Sequence, residues 1–134
     1  MSTTTELRSW WRRLGVVVLL ACLVGLPARA AEPGLTPEQV AQVRDYFAKA
    51  KERRTAGDPQ GAIDYLRRAI DIEAAPYLIY TLARVYEDTT QYELAESHYR
   101  LCVGNAVDEA TRTRATDALM RVEQLLANGQ LQIT

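Results

Sequence analysis

Two stretches of this sequence carry the same pattern at a fixed spacing, and that pattern decides the fold. Residues 57–70 have the sequence GDPQGAIDYLRRAI, and residues 90–103 have the sequence TQYELAESHYRLCV. Each contains a small residue, a large residue four positions later and a small residue three positions after that. Such spacing lets two helices approach closely while the large side chain fills the groove between the small ones. The two sets recur at one constant offset and predict tandem helical hairpins: Ala62, Leu66 and Ala69, then Ala95, Tyr99 and Cys102.

Helix start and stop signals extend this pattern along the chain. Thr36-Pro37 with Gln39, Asp58-Pro59, Pro76 and Asp108 are typical helix starts, because they combine capping side chains with prolines that fit a first turn. The predicted stops are Gly57, a point near residue 74, Gly104-Asn105 and Asn128-Gly129, with a short turn at residues 89–91. No segment alternates as a strand would. The sequence therefore predicts an all-α fold of five amphipathic helices in antiparallel hairpins.

The second unit resembles the tetratricopeptide repeat (TPR) family. Leu82-Ala83-x-x-Tyr86 stands where the family has Leu-Gly-x-x-Tyr. The resemblance implies about two repeat units plus a C-terminal capping helix in a short right-handed solenoid. The first helix departs from the family pattern, since Lys49 and Arg53 or Arg54 fall near positions that are usually apolar or aromatic. The residues expected to pack the repeats are Ala62, Leu66, Ala69, Leu82, Ala83, Tyr86, Ala95, Tyr99 and Cys102.

The resemblance also implies where a ligand would bind. In the family, the first helix of each pair lines a concave groove that usually binds a peptide or protein. The corresponding residues here, assigned on the first helix to within one residue, are Arg44, Phe47, Lys51, Arg54, Tyr77, Tyr80, Arg84 and Glu87, with Arg114 and Arg121 extending the row. Aromatic rings and guanidinium groups suit peptide capture. The alternative is that these side chains are solvated helix faces.

The N-terminal residues have the organisation of a secretory leader. Arg8, Arg12 and Arg13 precede a 13-residue apolar run, residues 14–26, which is shorter than the roughly 20 residues that span a membrane. The small residues around Ala30 and Ala31 predict cleavage between them. The predicted organisation is a signal peptide at 1–30, a linker at 31–35, a helical domain at 36–128 and a frayed C-terminus at 129–134.

Other ways of processing this leader stay open. The residues before Cys22 resemble a lipoprotein site, the leader could remain as an uncleaved anchor, and Arg12-Arg13 is compatible with twin-arginine export. The protein is expected in the periplasm or secreted, and at a membrane only if the leader is retained or Cys22 is lipidated. Removing residues 1–30 takes four of 16 basic and one of 17 acidic residues, which leaves 12 and 16 and a net charge of −4.

Residue patterns for catalysis, metal binding and nucleic-acid binding are absent from the sequence. His98 is the single histidine and has no neighbouring ligand cluster, so a packing or surface role is expected. Cys102 falls on an apolar stripe, which predicts a packed thiol. The mature chain has no basic excess for nucleic acid. We therefore expect no enzyme activity, no cofactor, no metal site and no nucleic-acid partner.

Two functional hypotheses follow from these observations. The first is a protein–protein interaction module or assembly adaptor of the bacterial cell envelope, which binds a protein or peptide partner in the groove. The alternative is a self-associating structural protein, because two units and a cap are fewer than the roughly three repeats that such arrays usually need. A homo-oligomer would complete the stack in that case. An envelope enzyme is the third and least supported reading.

Overall fold

The computed structural model describes residues 34–131, and the predicted leader, its predicted cleavage site and Cys22 lie outside them. This part of the chain contains five α-helices and no strands, which confirms the all-α prediction. The helices are α1 (Pro37–Thr55), α2 (Pro59–Ile72), α3 (Pro76–Asp88), α4 (Tyr92–Asn105) and α5 (Glu109–Leu131).

The helix starts follow the local chemistry of the sequence. Thr36 and Gln39 form a reciprocal capping box, with the Thr36 hydroxyl accepting from the Gln39 amide at 3.2 Å. The Asp58 side chain accepts from the Gly61 amide at 2.9 Å, and Asp108 accepts from the Thr111 amide at 2.8 Å. These contacts satisfy amides that a helix leaves without partners in its first turn. The predicted starts of α1, α2 and α5 are confirmed.

Neighbouring helices pack as successive hairpins. α1 packs on α2, α3 packs on α4, and α5 packs mainly on α4, while α2 meets α3 and α5 also touches α3. Side chains join α1 to α3 and α3 to α5 as well, since Arg54 pairs with Asp88 and Arg121 pairs with Glu87. The described chain is thus a short helical-repeat solenoid in which α1, α3 and α5 share one side.

The core consists of the repeated small and large residues. Leu66 and Tyr99, the two large residues of the pattern, are fully buried, and burying such a side chain contributes roughly 1.5–3 kcal/mol. The alanines beside them leave room for close helix approach. All nine residues that the sequence assigns to repeat packing are at most 2 % exposed: Ala62, Leu66, Ala69, Leu82, Ala83, Tyr86, Ala95, Tyr99 and Cys102.

The register of the first helix follows from Ala50. Ala50 is 2 % exposed and precedes the fully buried Ala83 by the same offset that separates Ala62 from Ala95, so it takes the matching position in the first unit. Lys49 and Arg53, which depart from the family pattern, are exposed and pair with Asp45 at 2.7 Å and Asp58 at 3.3 Å. These positions lie on the surface of α1, where charged side chains are tolerated.

One predicted helix end is wrong. Helix α5 continues through Asn128 and Gly129 to Leu131, and residues 132–134 lie outside the described residues. A glycine ends a helix by adopting the left-handed conformation. Within residues 34–131 only Gly57 and Thr90 have positive φ, so Gly129 keeps a helical backbone. No helix in this range is long and apolar enough to cross a membrane.

Candidate functional site

An exposed pair of aromatic rings lies where α1 meets α3. The ring of Phe47 contacts the ring of Tyr77 edge to face, with centroids 5.4 Å apart and planes at 87°. Phe47 is half-buried, and Tyr77 is 45 % exposed although it is a large side chain. The edge-to-face arrangement is favourable because the positive edge of one ring meets the negative face of the other. We call these two residues the aromatic pair.

Basic side chains surround the aromatic pair. The Lys51 ammonium group lies 5.5 Å from the centre of the Phe47 ring, within cation–π range. Burial and the Glu73 carboxylate raise the pKa of Tyr77, while the positive charge of Arg44 opposes that rise, so Arg44 lies near this hydroxyl. Arg84 is exposed on α3, one repeat after Lys51 and therefore at the matching position of the next unit.

Glu87 is enclosed by donors from two other helices. Its carboxylate accepts from Arg121 Nε at 2.7 Å and Arg121 Nη2 at 3.0 Å, and from the Tyr99 hydroxyl at 2.7 Å. The Glu87 side chain is only 17 % exposed. The hydrogen bond from Arg121, followed by that from Tyr99, holds the pKa of Glu87 below its ordinary value against the opposing effect of burial. Burial first, and Glu87 second, raise the pKa of Tyr99, which keeps its hydroxyl protonated as a donor.

Asp88, the carboxylate next to Glu87 on α3, is also bound to an arginine. Asp88 accepts from Arg54 Nη2 at 2.6 Å and Arg54 Nε at 2.9 Å. The guanidinium groups of Arg54 and Arg121 are therefore bound to the protein's own carboxylates. Among the described residues, Arg44, Lys51 and Arg84 have no carboxylate oxygen within 4.0 Å. The surface around the aromatic pair thus carries three cations without a carboxylate partner in the described chain, with Glu73 as a nearby negative charge.

The structure brings most of the predicted groove residues onto one face of α1 and α3. Tyr80 has a mixed position, because its half-buried ring packs against Tyr99 with centroids 5.6 Å apart. Arg54 and Glu87 form ion pairs with Asp88 and Arg121 that join neighbouring helices. We define the α1–α3 face as the aromatic pair and the three cations around it: Arg44, Phe47, Lys51, Tyr77 and Arg84.

Sequence reasoning missed the two ion pairs that organise this face. Arg54 and Asp88 are 34 residues apart, and so are Glu87 and Arg121. Opposite charges separated by one repeat length are the signal that would have found them. Because the repeats stack one after another, residues one repeat length apart lie at matching places on adjacent first helices.

His98 and Cys102 are part of the helix packing. The His98 ring lies 5.2 Å from the Tyr86 ring, and its Nδ1 lies 2.7 Å from the Leu94 carbonyl oxygen. The Cys102 thiol is buried and donates to the Pro76 carbonyl at 3.4 Å. Burial, with a smaller effect from Asp108, raises the pKa of Cys102. In residues 34–131 no group of three His, Cys, Asp or Glu side chains could hold a metal ion.

Comparison with known protein families matches residues 77–106 to the tetratricopeptide repeat. The match covers α3 and α4 almost entirely, and it is the hairpin whose sequence pattern is most complete. A search of the curated proteins and a search of the solved structures each found no significant match. The repeat supports a general role in protein–protein interaction, which family members typically perform without catalysis. The described chain therefore contains a tetratricopeptide repeat at residues 77–106, set within a helical-repeat architecture.

Proposed function

We propose that this protein is an interaction module of the bacterial cell envelope that holds a peptide or an extended segment of a partner protein on its α1–α3 face. The observation that carries the proposal is the aromatic pair flanked by three cations that have no carboxylate partner in the described chain, one of which, Lys51, lies over the Phe47 ring. Large aromatic side chains and arginines are enriched where proteins recognise one another.

The placement of this face on the repeat supports the same function. α1 and α3 are the first helices of successive hairpins, the surface that usually binds ligands in this family. Tyr99, Glu87 and Arg121 tie α3 to α4 and α5, and Arg54 ties α1 to α3. The face is therefore held in place before any ligand arrives. Pre-organisation reduces the entropy that binding would otherwise lose.

The envelope location is part of the proposal and rests on the leader-like N-terminus. An intact-mass measurement of the protein from its native host tests it. We expect a chain that begins at Ala31 and fractionates with the envelope. A lipid-modified Cys22 would move the protein to a membrane surface, and a full-length chain in the cytoplasm would contradict the envelope role.

Co-purification tests the binding role. The tagged protein is recovered from envelope extract of the host, and the partner it retains is identified and purified for direct binding. Tyr77→Ala combined with Arg84→Ala should abolish binding of the purified partner, because both side chains leave the α1–α3 face. Arg68→Glu on α2 is the control, since Arg68 is exposed outside that face.

Two measurements make the result decisive. Circular dichroism and thermal unfolding must show that the double variant keeps the helical fold, which the exposure of both side chains leads us to expect. A purified partner that binds wild type, the double variant and the Arg68→Glu control equally well would show that the α1–α3 face is not the binding surface.

A further inference from the structure

We propose that the partner segment is acidic: it carries two carboxylates about three residues apart, with an apolar side chain between them seated on the aromatic pair. This inference rests on the proposed function, and it adds the chemistry of the ligand. Its basis is the charge that the protein itself leaves unmatched on the α1–α3 face.

Two carboxylates next to this face are already bound to arginines, whereas Glu73, which adds to the effect of burial in raising the pKa of Tyr77, has no lysine or arginine nitrogen of the described residues within 4.0 Å. Glu87 and Asp88 are both bound to arginines of neighbouring helices at 2.6–3.0 Å. They are therefore not free to neutralise Arg44, Lys51 or Arg84, and they would not attract a basic ligand. A ligand that leaves these cations desolvated without counter-charges would incur a penalty. Carboxylates on the ligand remove that penalty.

The spacing of the cations sets the spacing of the ligand charges. Arg44 and Lys51 lie on one helix, about two turns or roughly 10.5 Å apart along the same face. Lys51 and Arg84 occupy matching positions of successive repeats, so they lie on the same side of adjacent first helices. An extended chain rises about 3.3 Å per residue. Two ligand carboxylates three positions apart therefore match the distance between Arg44 at one end and the Lys51 and Arg84 couple at the other.

The surface between the cations is apolar. Phe47 lies between Arg44 and Lys51 in sequence, and its ring meets Tyr77 of the neighbouring helix. The pair offers exposed apolar area with cations on either side. An apolar ligand side chain between the two acidic residues would cover this area while the carboxylates reach the cations. Arginine can also pair bidentately with a carboxylate, which fixes the ligand's direction.

Elsewhere in the described chain, Arg67, Arg68 and Arg114 also have no carboxylate oxygen within 4.0 Å, but Arg67 donates to the Tyr86 hydroxyl and Arg68 lies over the Tyr65 ring. Other basic residues are bound to carboxylates. Arg100 pairs with Glu96 and Glu123, and Arg112 pairs with Glu109. Without residues 1–30 the chain has a net negative charge, so its overall charge would repel an acidic segment. Binding of such a segment must therefore come from the local arrangement of the α1–α3 face.

Fluorescence anisotropy with labelled peptides tests the proposal on the purified protein. The probe is a nine-residue peptide with Glu-Leu-Ser-Glu between glycine and serine flanks. Comparison peptides replace both Glu by Gln, or Leu by Gly. The acidic peptide should bind at least about tenfold more tightly than the Gln peptide, because charge-assisted hydrogen bonds are lost. Its affinity should fall with added salt.

Protein variants locate the binding. Lys51→Glu combined with Arg84→Glu should weaken the acidic peptide by more than about tenfold, because it reverses the charge at one end of the face. Arg68→Glu, the control on α2, should change its affinity little. Because Arg68→Glu reverses one charge and the double variant reverses two, a loss of binding free energy with Arg68→Glu at least half that in the double variant would overturn the proposal, since binding would then follow net charge alone.

The outcomes also separate this inference from the proposed function. Equal binding of the acidic and Gln peptides, abolished by Tyr77→Ala, would overturn the acidic requirement and leave peptide binding intact. Failure of every peptide, including a displayed random library, would contradict both. Binding to phosphatidylglycerol vesicles without binding to the acidic peptide would overturn the inference in favour of a lipid surface.

Discussion

Glu87 joins three helices through a single carboxylate, since it lies on α3 and accepts from Tyr99 on α4 and Arg121 on α5. Glu87→Gln removes the charge that both donors share and replaces an acceptor oxygen by a donor. We expect it to lower the free energy of unfolding by about 1–2 kcal/mol, because Tyr99 is fully buried while Arg121 is half-exposed. Thermal or urea unfolding of the purified protein measures the change.

Glu123→Gln is the matched control for that substitution. Glu123 makes an ion pair between α4 and α5 with Arg100 at 2.9 Å, but both side chains are exposed and screened by solvent. Its unfolding curve should overlay that of wild type. If Glu87→Gln proved as neutral as Glu123→Gln, the three-helix tie would contribute nothing to stability.

The lowered pKa of Glu87 also predicts how stability depends on pH. The folded pKa lies below the ordinary value of 4.5, so the ionised carboxylate stabilises the protein above that pH. This contribution is lost as pH falls from 4.5 through the lowered folded value. The difference in unfolding free energy between wild type and Glu87→Gln should therefore shrink in acid. A difference that grows as pH falls would reverse the assigned sign.

The turns of the two hairpins each have a left-handed residue at the same position of the repeat. Gly57 has φ +77°, and Thr90, at the same place in the next repeat, has φ +60°. Left-handed backbone costs a non-glycine residue roughly 1–2 kcal/mol, and glycine loses about 0.5–1 kcal/mol through its freer unfolded state. Thr90→Gly should therefore raise the free energy of unfolding by about 0.5–1 kcal/mol, as measured by urea unfolding.

Gly57→Ala is the reciprocal change. No atom lies within 4 Å of the added Cβ, so only the backbone conformation opposes it, and we expect a loss of about 1 kcal/mol. Together the two variants test whether the repeats share one turn geometry. Destabilisation by Thr90→Gly would mean that the Thr90 side chain contributes more than its backbone costs.

The helix starts could be predicted from sequence because the signals act within a few residues. Thr36 with Gln39, and Asp58, bind amides of their own first turn, so no tertiary information is needed. Helix ends depend more on the surrounding structure. Asn128-Gly129 has the composition of a stop, yet α5 passes through it because Gly129 does not take the left-handed conformation. Composition alone does not determine that choice.

The positions of the groove residues could be predicted, but their partners could not. The repeat period places Phe47, Lys51 and Arg84 on the first helices of successive units. Whether a guanidinium points to solvent or to a neighbouring helix depends on the side chains across that gap. Arg54 and Arg121 are bound to Asp88 and Glu87, so this surface has fewer unpaired basic side chains than the sequence predicted.

The whole described domain is closed at its C-terminal end by α5. Its exposed face mixes Met120, which is 57 % exposed, with Asp117 and Gln124, and charged or polar neighbours do not favour a stable contact between copies. We therefore predict a monomer in sedimentation equilibrium at micromolar concentration. A concentration-dependent dimer would support the self-associating alternative, in which a second copy extends the short solenoid.

Site-directed photocrosslinking tests the central claim, binding of a protein partner on the α1–α3 face, most directly. A photocrosslinking amino acid replaces Arg84 on that face or, in a matched variant, Leu101, which is 51 % exposed on α4. Both variants are irradiated in the native host. We predict a discrete partner adduct from the Arg84 position and none from the Leu101 position. An adduct formed only from the Leu101 position would contradict binding on the α1–α3 face.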